Sequence, residues 1–334
     1  MFRKSLILTL LLALLLAGCA PARSATPTAE PAPAATEVPA TEAVIEAPAM
    51  TEAPAAEEIT FTDDLGNTIV LTGTAQRIVS LAPSVTESLF AIGAGGQVVG
   101  RTDYCDYPEE VKILPSIGGF SADSISMEAI IALEPDLVIG GSTYQADVIK
   151  ALQDAGIPAF VSQPSSLEKI MDALSLYGRV TGHEDEAAAV VGGMQSRIDT
   201  VKETVSAIPA DQRPTVFYEV WHEPLMSANG KTVVGELIDL AGGVNIFADL
   251  PNEYPTISVE QIVEVDPQFI IGPSSHGDQM TAEVIGAREG WGGLSAVKNK
   301  AIYIVDGNMV SRASPRIVEV LDEFAKILHP DLFK

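Results

Sequence analysis

The sequence is poor in cysteine and in basic residues. Cys19 and Cys105 are its only cysteines, and 20 Lys and Arg face 45 Asp and Glu, which gives a formal net charge of −25. No block of basic residues occurs, so the charge argues against nucleic acid and against an anionic membrane surface as partners. Two cysteines, one of them close to the N-terminus, are too few for a disulfide framework or a cysteine-based metal cluster.

A long membrane-spanning apolar run is also missing. The run at residues 6–17 follows two basic residues and ends in small ones, which is typical of a cleaved export signal. The last four residues of the segment 1–19 are LAGC and resemble a bacterial lipobox. This resemblance implies a lipoprotein signal peptide and a lipid on Cys19, at the outer face of the cytoplasmic membrane. The alternative is an ordinary signal peptide whose cleavage site contains a cysteine.

Residues 20–58 lack an apolar period and consist mainly of Pro, Ala, Thr and Glu. Such a segment cannot bury enough surface to offset its ordering entropy, so we expect a disordered tether. The remaining residues, about 275 of them, suffice for two domains of ordinary size.

One segment occurs twice. ISMEAIIALEPDLVIG from Ile125 and ISVEQIVEVDPQFIIG from Ile257 are 132 residues apart and share seven of sixteen residues. Each copy has a serine that suits a helix N-cap, then a glutamate (Glu128 and Glu260), a proline and an apolar strand. The offset predicts that a whole structural unit is duplicated.

Short apolar runs bounded by turn residues alternate with helical stretches in both halves, which predicts an α/β protein with parallel strands. We expect an N-terminal lobe at 59–182 and a C-terminal lobe at 210–334, joined by one long helix at 183–209. That helix has one apolar stripe, formed by Val190, Met194, Ile198, Val201, Val205 and Ile208. Ligands of open parallel sheets bind at the carboxyl ends of the strands, so the cleft between the lobes is the expected site.

At the level of motifs, residues 77–334 resemble the periplasmic binding proteins of ABC importers for cobalamin, iron-siderophores and haem. The resemblance rests on RIVSLAPSVTESLFAIGAGGQVVGRTDYCDYP (77–108) and on RASPR (312–316), and it is closest to the cobalamin-binding members. It implies two Rossmann-like lobes with a ligand cleft between them. It also implies a monomer that delivers its ligand to a permease dimer with separate ATPase subunits, without a cofactor and without doing chemistry.

The resemblance also suggests ligand contacts. Tyr104 and Tyr254 match aromatic positions of the cobalamin binders, and Arg312 matches an arginine that reaches the polar periphery of the ligand. Gly141 stands where those proteins have an aromatic residue, and Asn308 where an acidic one is typical. The predicted contacts are Pro83, Ser84, Tyr104, Phe120, Tyr144, Trp221, His222, Leu225, Tyr254, Ser275, His276 and Arg312. A large planar ligand needs aromatic faces and a few polar donors, so a corrinoid is the expected ligand, with a ferric siderophore or haem as alternatives.

The duplicated glutamates have two interpretations. In the resembling family, each lobe offers a surface glutamate to arginines of the two-fold symmetric permease, and Glu128 and Glu260 fall on these positions. Alternatively, each glutamate only stabilises the first turn of a helix that Ser126 or Ser258 caps.

Two other classes of function are a metal-ion binding protein and a hydrolase. A zinc or manganese binder would need about three histidines and a carboxylate, but only His222 and His276 fall in predicted rim loops, so we predict no metal site. These two could instead coordinate the metal of a bound ligand or hydrogen-bond its side groups. A hydrolase would need a nucleophile elbow, and neither Ser84 nor Ser275 lies in such a sequence, so we expect no enzyme.

Overall fold

The computed structural model describes residues 58–274 and 280–333. The predicted signal peptide, Cys19, nearly all of the predicted tether, Ser275 and His276 lie outside the described residues. All described residues belong to one compact unit.

The N-terminal lobe contains a hairpin and a parallel sheet. The hairpin pairs two antiparallel strands, β1 (Glu58–Thr62) and β2 (Thr68–Thr72). The sheet strands are β3 (Ile78–Ser80), β4 (Val98–Arg101), β5 (Leu137–Gly140) and β6 (Ala159–Val161). Their order is β4-β3-β5-β6, and every neighbouring pair is parallel. β5 is buried along its whole length, as expected of a strand covered on both faces.

The C-terminal lobe repeats this sheet. Its strands are β7 (Thr215–Tyr218), β8 (Trp221–His222), β9 (Leu225–Met226), β10 (Val244–Asn245), β11 (Phe269–Pro273) and β12 (Ile302–Val305). β8 and β9 form a small antiparallel hairpin, whereas the other four form a parallel sheet in the order β10-β7-β11-β12. In each four-stranded parallel sheet, the strand that comes first in the chain (β3 or β7) therefore lies between the second (β4 or β10) and the third (β5 or β11). The predicted α/β fold of two parallel-sheet lobes is confirmed.

Helices separate these strands. In the N-terminal lobe they are α1 (Pro83–Ala91), α2 (Met127–Ala132), α3 (Ala146–Asp154) and α4 (Leu167–Thr181). The long helix α5 (Glu184–Val205) then leads to the C-terminal lobe. That lobe has α6 (Val233–Leu240), α7 (Val259–Val265), α8 (Ala282–Gly286), α9 (Ser295–Lys298), α10 (Gly307–Ser311) and α11 (Ile317–Leu328).

The connecting helix α5 packs on both lobes. It contacts α4 on one side and α6 and α11 on the other. Met194, Ile198, Val201 and Val205 of the predicted stripe are buried, and they belong to a hydrophobic cluster that continues from Leu174 in α4 to residues of α11. Because interiors are close-packed, a core shared along α5 resists large changes in the orientation of the lobes.

Within 58–274 and 280–333, none of the helices combines the length and the apolar character that crossing a membrane requires.

Candidate functional site

The strand ends of both lobes meet at one cavity. In each sheet the strand order reverses beside the first strand, and such a switch point leaves a crevice at the carboxyl ends of the strands. Ser84 and Ser142 follow β3 and β5, while Val220 follows β7 and Pro273 ends β11. All four line one cavity of about 540 Å³. The two lobes therefore present equivalent crevices to a shared space.

A second cavity of about 670 Å³ adjoins the first on the side of the N-terminal lobe. The two cavities share five lining residues, namely Ser84, Phe120, Gly141, Ser311 and Arg312. We treat them as two parts of one space and call it the cleft. Each part has the size of a small-molecule site and is far larger than a single metal ion requires.

Half of the predicted contacts line the cleft. These are Pro83, Ser84, Tyr104, Phe120, Tyr254 and Arg312. Tyr104 is 61% exposed and Tyr254 is 51% exposed, so a ligand could reach both side chains. Phe120 is half-buried and packs against the main core. With the buried Tyr218, which also lines the cleft, the two lobes contribute four aromatic side chains.

Four predicted contacts line neither part of the cleft: Tyr144, Trp221, His222 and Leu225. Tyr144 lies in a short turn after β5 and is 82% exposed. The other three belong to the hairpin of β8 and β9, where the Trp221 indole Nε1 donates to the Glu223 carbonyl at 2.8 Å. The remaining two predicted contacts, Ser275 and His276, lie outside the described residues.

The cleft also contains polar residues that the sequence did not single out. They are Ser121, Ser124, Ser142, Gln163, Ser165, Lys231, Thr232, Glu253 and Ser311. Ser142 and Gln163 follow β5 and β6, so the strand-end rule that indicated Ser84 could have found them. Lys231 and Glu253 lie in loops of the C-terminal lobe, and no local pattern marks them.

Gly141 lies where only a residue without a side chain fits. A Cβ built on Gly141 would approach the Cβ of Ala82 to 2.2 Å. Such a distance is far inside van der Waals contact, so this backbone has no room for the aromatic residue that the resemblance places here. The absence of a side chain at Gly141 allows the segments that follow β3 and β5 to lie this close together.

A cluster of charged residues joins the lobes beside the cleft. We call Glu87, Asp106, Arg312, Ser314 and Arg316 the cross-lobe cluster. Glu87 lies in α1 and is buried, and the Arg312 Nη1 lies 2.7 Å from its Oε1 and 2.6 Å from the Asp106 Oδ1. Arg312 was predicted to reach the ligand; it lines the cleft, but carboxylates of the other lobe already accept from this nitrogen.

Ser314 and Arg316 supply the other hydrogen bonds to the Glu87 carboxylate. The Ser314 hydroxyl donates to Glu87 Oε2 at 2.7 Å, and Arg316 donates through Nε at 3.0 Å and through Nη2 at 2.8 Å. A buried carboxylate is tolerated only when its acceptors are filled, and here three side chains of the other lobe fill them.

Arg312 also affects the ionisation of Asp106. Burial opposes ionisation of this carboxyl, but the hydrogen bond and the charge of Arg312 outweigh it, so the pKa of Asp106 lies below its ordinary value. Asp106 therefore carries its negative charge throughout the neutral range.

The duplicated glutamates lie on matching helices. Glu128 and Glu260 are exposed in the first turns of α2 and α7. The hydroxyl of Ser126 accepts from the Ala129 amide at 3.1 Å, and Ser258 forms a capping box. Hydrogen bonds from its own backbone amide and from Ser258 lower the pKa of Glu260. Both carboxylates are thus available on the surface.

The described residues give no support to a metal site. Within the described parts of the chain, no group of three or more His, Cys, Asp or Glu is placed to hold an ion. His222 is half-buried in the β8–β9 hairpin and lines neither part of the cleft.

Known proteins share this architecture and this sequence. A family profile described as Periplasmic binding protein matches residues 78–309. The chain belongs to this family. A binding protein of this kind acts outside the cytoplasm and serves an ABC transporter that has permease and ATPase components, which confirms the resemblance inferred from the sequence.

Two curated relatives and one solved structure illustrate the similarity. The uncharacterized ABC transporter substrate-binding lipoprotein YvrC of Bacillus subtilis (strain 168) is 32% identical, over 83% of this chain and 87% of that protein. The vitamin B12-binding protein of Yersinia pestis (strain Pestoides F) is 31% identical, over 73% of this chain and 83% of that protein. A possible iron-binding periplasmic solute-binding protein of Staphylococcus epidermidis ATCC 12228 has a TM-score of 0.68 and 28% identity, over 77% of this chain and 99% of that one. These relatives are transport proteins rather than enzymes, which supports a non-catalytic role.

Proposed function

We propose that this binding protein captures cobalamin or a related corrinoid in the cleft and delivers it to an ABC permease. The observation that carries the proposal is the cleft lining, in which Tyr104, Phe120 and Tyr254 accompany a set of hydroxyl and amide groups. A corrinoid has a broad ring with amide side chains around it. The ring needs apolar and aromatic faces, and the amides need hydrogen-bond partners.

The polar part of the lining suits such amides. Ser84, Ser142 and Gln163 come from three strand ends of the N-terminal lobe, and the exposed Lys231 comes from the other lobe. Partners on both sides of a flat ligand fix its orientation without large movements of the lobes. Similarity to the vitamin B12-binding protein of Yersinia supports the same ligand class.

The protein is proposed to be held at the outer face of the cytoplasmic membrane by a lipid on Cys19. The LAGC sequence and the lipoprotein relative from Bacillus support this anchoring. A tether at residues 20–58 then lets the lobes leave the membrane surface and return to it.

Glu128 and Glu260 are the proposed contacts with the permease. Their exposure and their equivalent places in the two lobes suit a partner with two-fold symmetry. Arginines of such a partner would form bidentate pairs with the two carboxylates and fix the register of docking.

A ferric chelate or haem is the second candidate ligand. The similarity to the Staphylococcus structure, described as that of a possible iron-binding protein, supports this alternative. Its metal would need no side chain of the protein if the chelator fills the coordination sphere.

Titration of the purified protein with cyanocobalamin tests the proposal. Saturable binding with quenching of intrinsic fluorescence is expected, because the ring would lie against tyrosines of the cleft. Binding of a ferric siderophore or haemin in place of cyanocobalamin would favour the second candidate. Saturable binding of Zn²⁺ alone would contradict both.

A further inference from the structure

Among the described residues, the charged side chains that line the cleft sum to a formal charge of +1. Among the described residues that line the cleft, three are charged, namely Lys231, Glu253 and Arg312. The chain neighbourhoods of Lys231 and Glu253 meet, since the Glu253 carbonyl accepts from the Asn229 amide at 2.8 Å. Their opposite formal charges cancel, so Arg312 decides whether the cleft attracts an anion.

Arg312 is already neutralised. Its Nη1 donates to Glu87 and to Asp106, and its side chain is only 11% exposed. The second arginine of the cross-lobe cluster, Arg316, pairs with Glu87 as well. Two guanidinium groups therefore face two carboxylates, and the cluster has no net formal charge.

A neighbouring amide supports this arrangement. The Asn308 Nδ2 donates to the Asp106 Oδ2 at 3.3 Å. An acidic side chain at this position would repel Asp106, whereas the amide holds the carboxylate against Arg312. The chain thus keeps Asp106 charged and in place at the edge of the cleft.

An anionic ligand would find little compensation here. Its negative group must lose water and then compete with Asp106 for the same guanidinium nitrogen. The formal net charge of −25 adds a long-range repulsion. An uncharged ligand meets neither cost.

We propose that Glu87 and Asp106 neutralise the arginine of the cleft and thereby select ligands without net negative charge, with Asp106 as the specificity-determining residue. This inference rests on the proposed capture of a small molecule in the cleft. It favours an uncharged corrinoid or an uncharged ferric hydroxamate, and it disfavours haem with its propionates and anionic ferric catecholates.

Asp106→Asn is the variant that tests this role. Asp106 is 43% exposed, so the amide replaces the carboxylate with little effect on packing. We would measure dissociation constants by calorimetric titration for cyanocobalamin and ferrichrome, which are uncharged, and for haemin and ferric enterobactin, which are anionic. Relative to the uncharged probes, the anionic probes should gain about tenfold in affinity when Arg312 loses one of its two carboxylates.

Two control variants distinguish an effect of charge on ligand affinity from an effect of packing. Asp103→Asn changes a carboxylate of the same loop that does not contact Arg312, and it should leave the ratio of affinities unchanged. Asp106→Asn combined with Arg312→Gln should return the ratio towards the wild-type value, because the freed arginine is gone. Salt should weaken the gain of Asp106→Asn, since screening acts on charge and not on shape.

The outcomes distinguish this inference from the proposed function. Wild-type protein that binds haemin or ferric enterobactin as tightly as the uncharged probe overturns the inference and leaves ligand capture intact. A ratio that Asp106→Asn does not change overturns the role of Asp106. Binding of ferrichrome without cyanocobalamin supports the charge selection and contradicts the corrinoid proposal.

Discussion

The Nη1 of Arg312 lies 2.7 Å from the Oε1 of Glu87, although 225 residues separate the two in the chain. Glu87 belongs to the first helix of one lobe, and Arg312 to the loop before the last helix of the other. The ion pair therefore joins the two lobes beside the cleft, while the shared core along α5 holds them together elsewhere. The same arginine lines the cleft and joins the two lobes.

Removal of the Glu87 carboxylate should strongly destabilise the protein. Glu87→Ala leaves Arg312 and Arg316 facing each other without an anion between them, and loss of one partner of a buried pair costs about 3–5 kcal/mol. Urea unfolding measures the free energy of unfolding. Glu203→Ala, at an exposed position of α5, is the control and should cost under about 0.5 kcal/mol. Equal effects of the two substitutions would contradict the structural role of Glu87.

The contribution of Asp106 to stability should depend on pH. Its folded-state pKa lies below the ordinary value of 3.8, so the stabilisation is present above that value and is lost as pH falls through the lowered pKa. The difference in free energy of unfolding between wild type and Asp106→Asn should be constant near neutral pH and should shrink in acid. Urea unfolding at a series of pH values tests this. A difference that grows in acid would refute the assignment.

Gly141→Ala should destabilise the N-terminal lobe by about 1–3 kcal/mol, because the added methyl group overpacks the contact with Ala82. Thermal or urea unfolding detects the loss. The second substitution Ala82→Gly removes the clashing methyl group, and the double variant should recover most of the stability. Failure of this rescue would show that another contact limits the site.

Tyr254→Ala should weaken binding of cyanocobalamin about tenfold, since one aromatic face of the cleft is lost. Tyr254→Phe keeps the ring and should retain most of the affinity. Tyr144→Ala is the matched control, because Tyr144 is also exposed but lines neither part of the cleft. Equal losses for Tyr144→Ala and Tyr254→Ala would contradict the proposed contact.

Charge reversal at the duplicated glutamates should abolish uptake and leave ligand binding intact. The change is Glu128→Lys with Glu260→Lys, and transport in cells is compared with affinity in solution. The matched control is Glu168→Lys with Glu184→Lys, which reverses two first-turn glutamates of α4 and α5 and changes the net charge equally. Unchanged uptake in the first double variant would remove these residues from the docking surface.

Some residues of the candidate site could be predicted from the sequence because they lie at strand ends. Ser84 and Tyr104 follow strands of the N-terminal lobe, and a parallel sheet brings its carboxyl ends to one edge. The same reasoning placed Trp221 and His222 at the cleft, but a short hairpin after β7 keeps both out of the lining. The sequence contains no periodic signal for a hairpin of two-residue strands.

The sequence alone established the two α/β lobes and the duplicated segment at Ile125 and Ile257, and it predicted an export signal, because periodicity, composition and repetition are local properties. Only the tertiary structure decided that Arg312 meets Glu87 and Asp106, and that Gly141 faces Ala82 without room for a side chain. These contacts join residues far apart in the chain. Their distances follow from the packing of whole lobes, which no local pattern specifies.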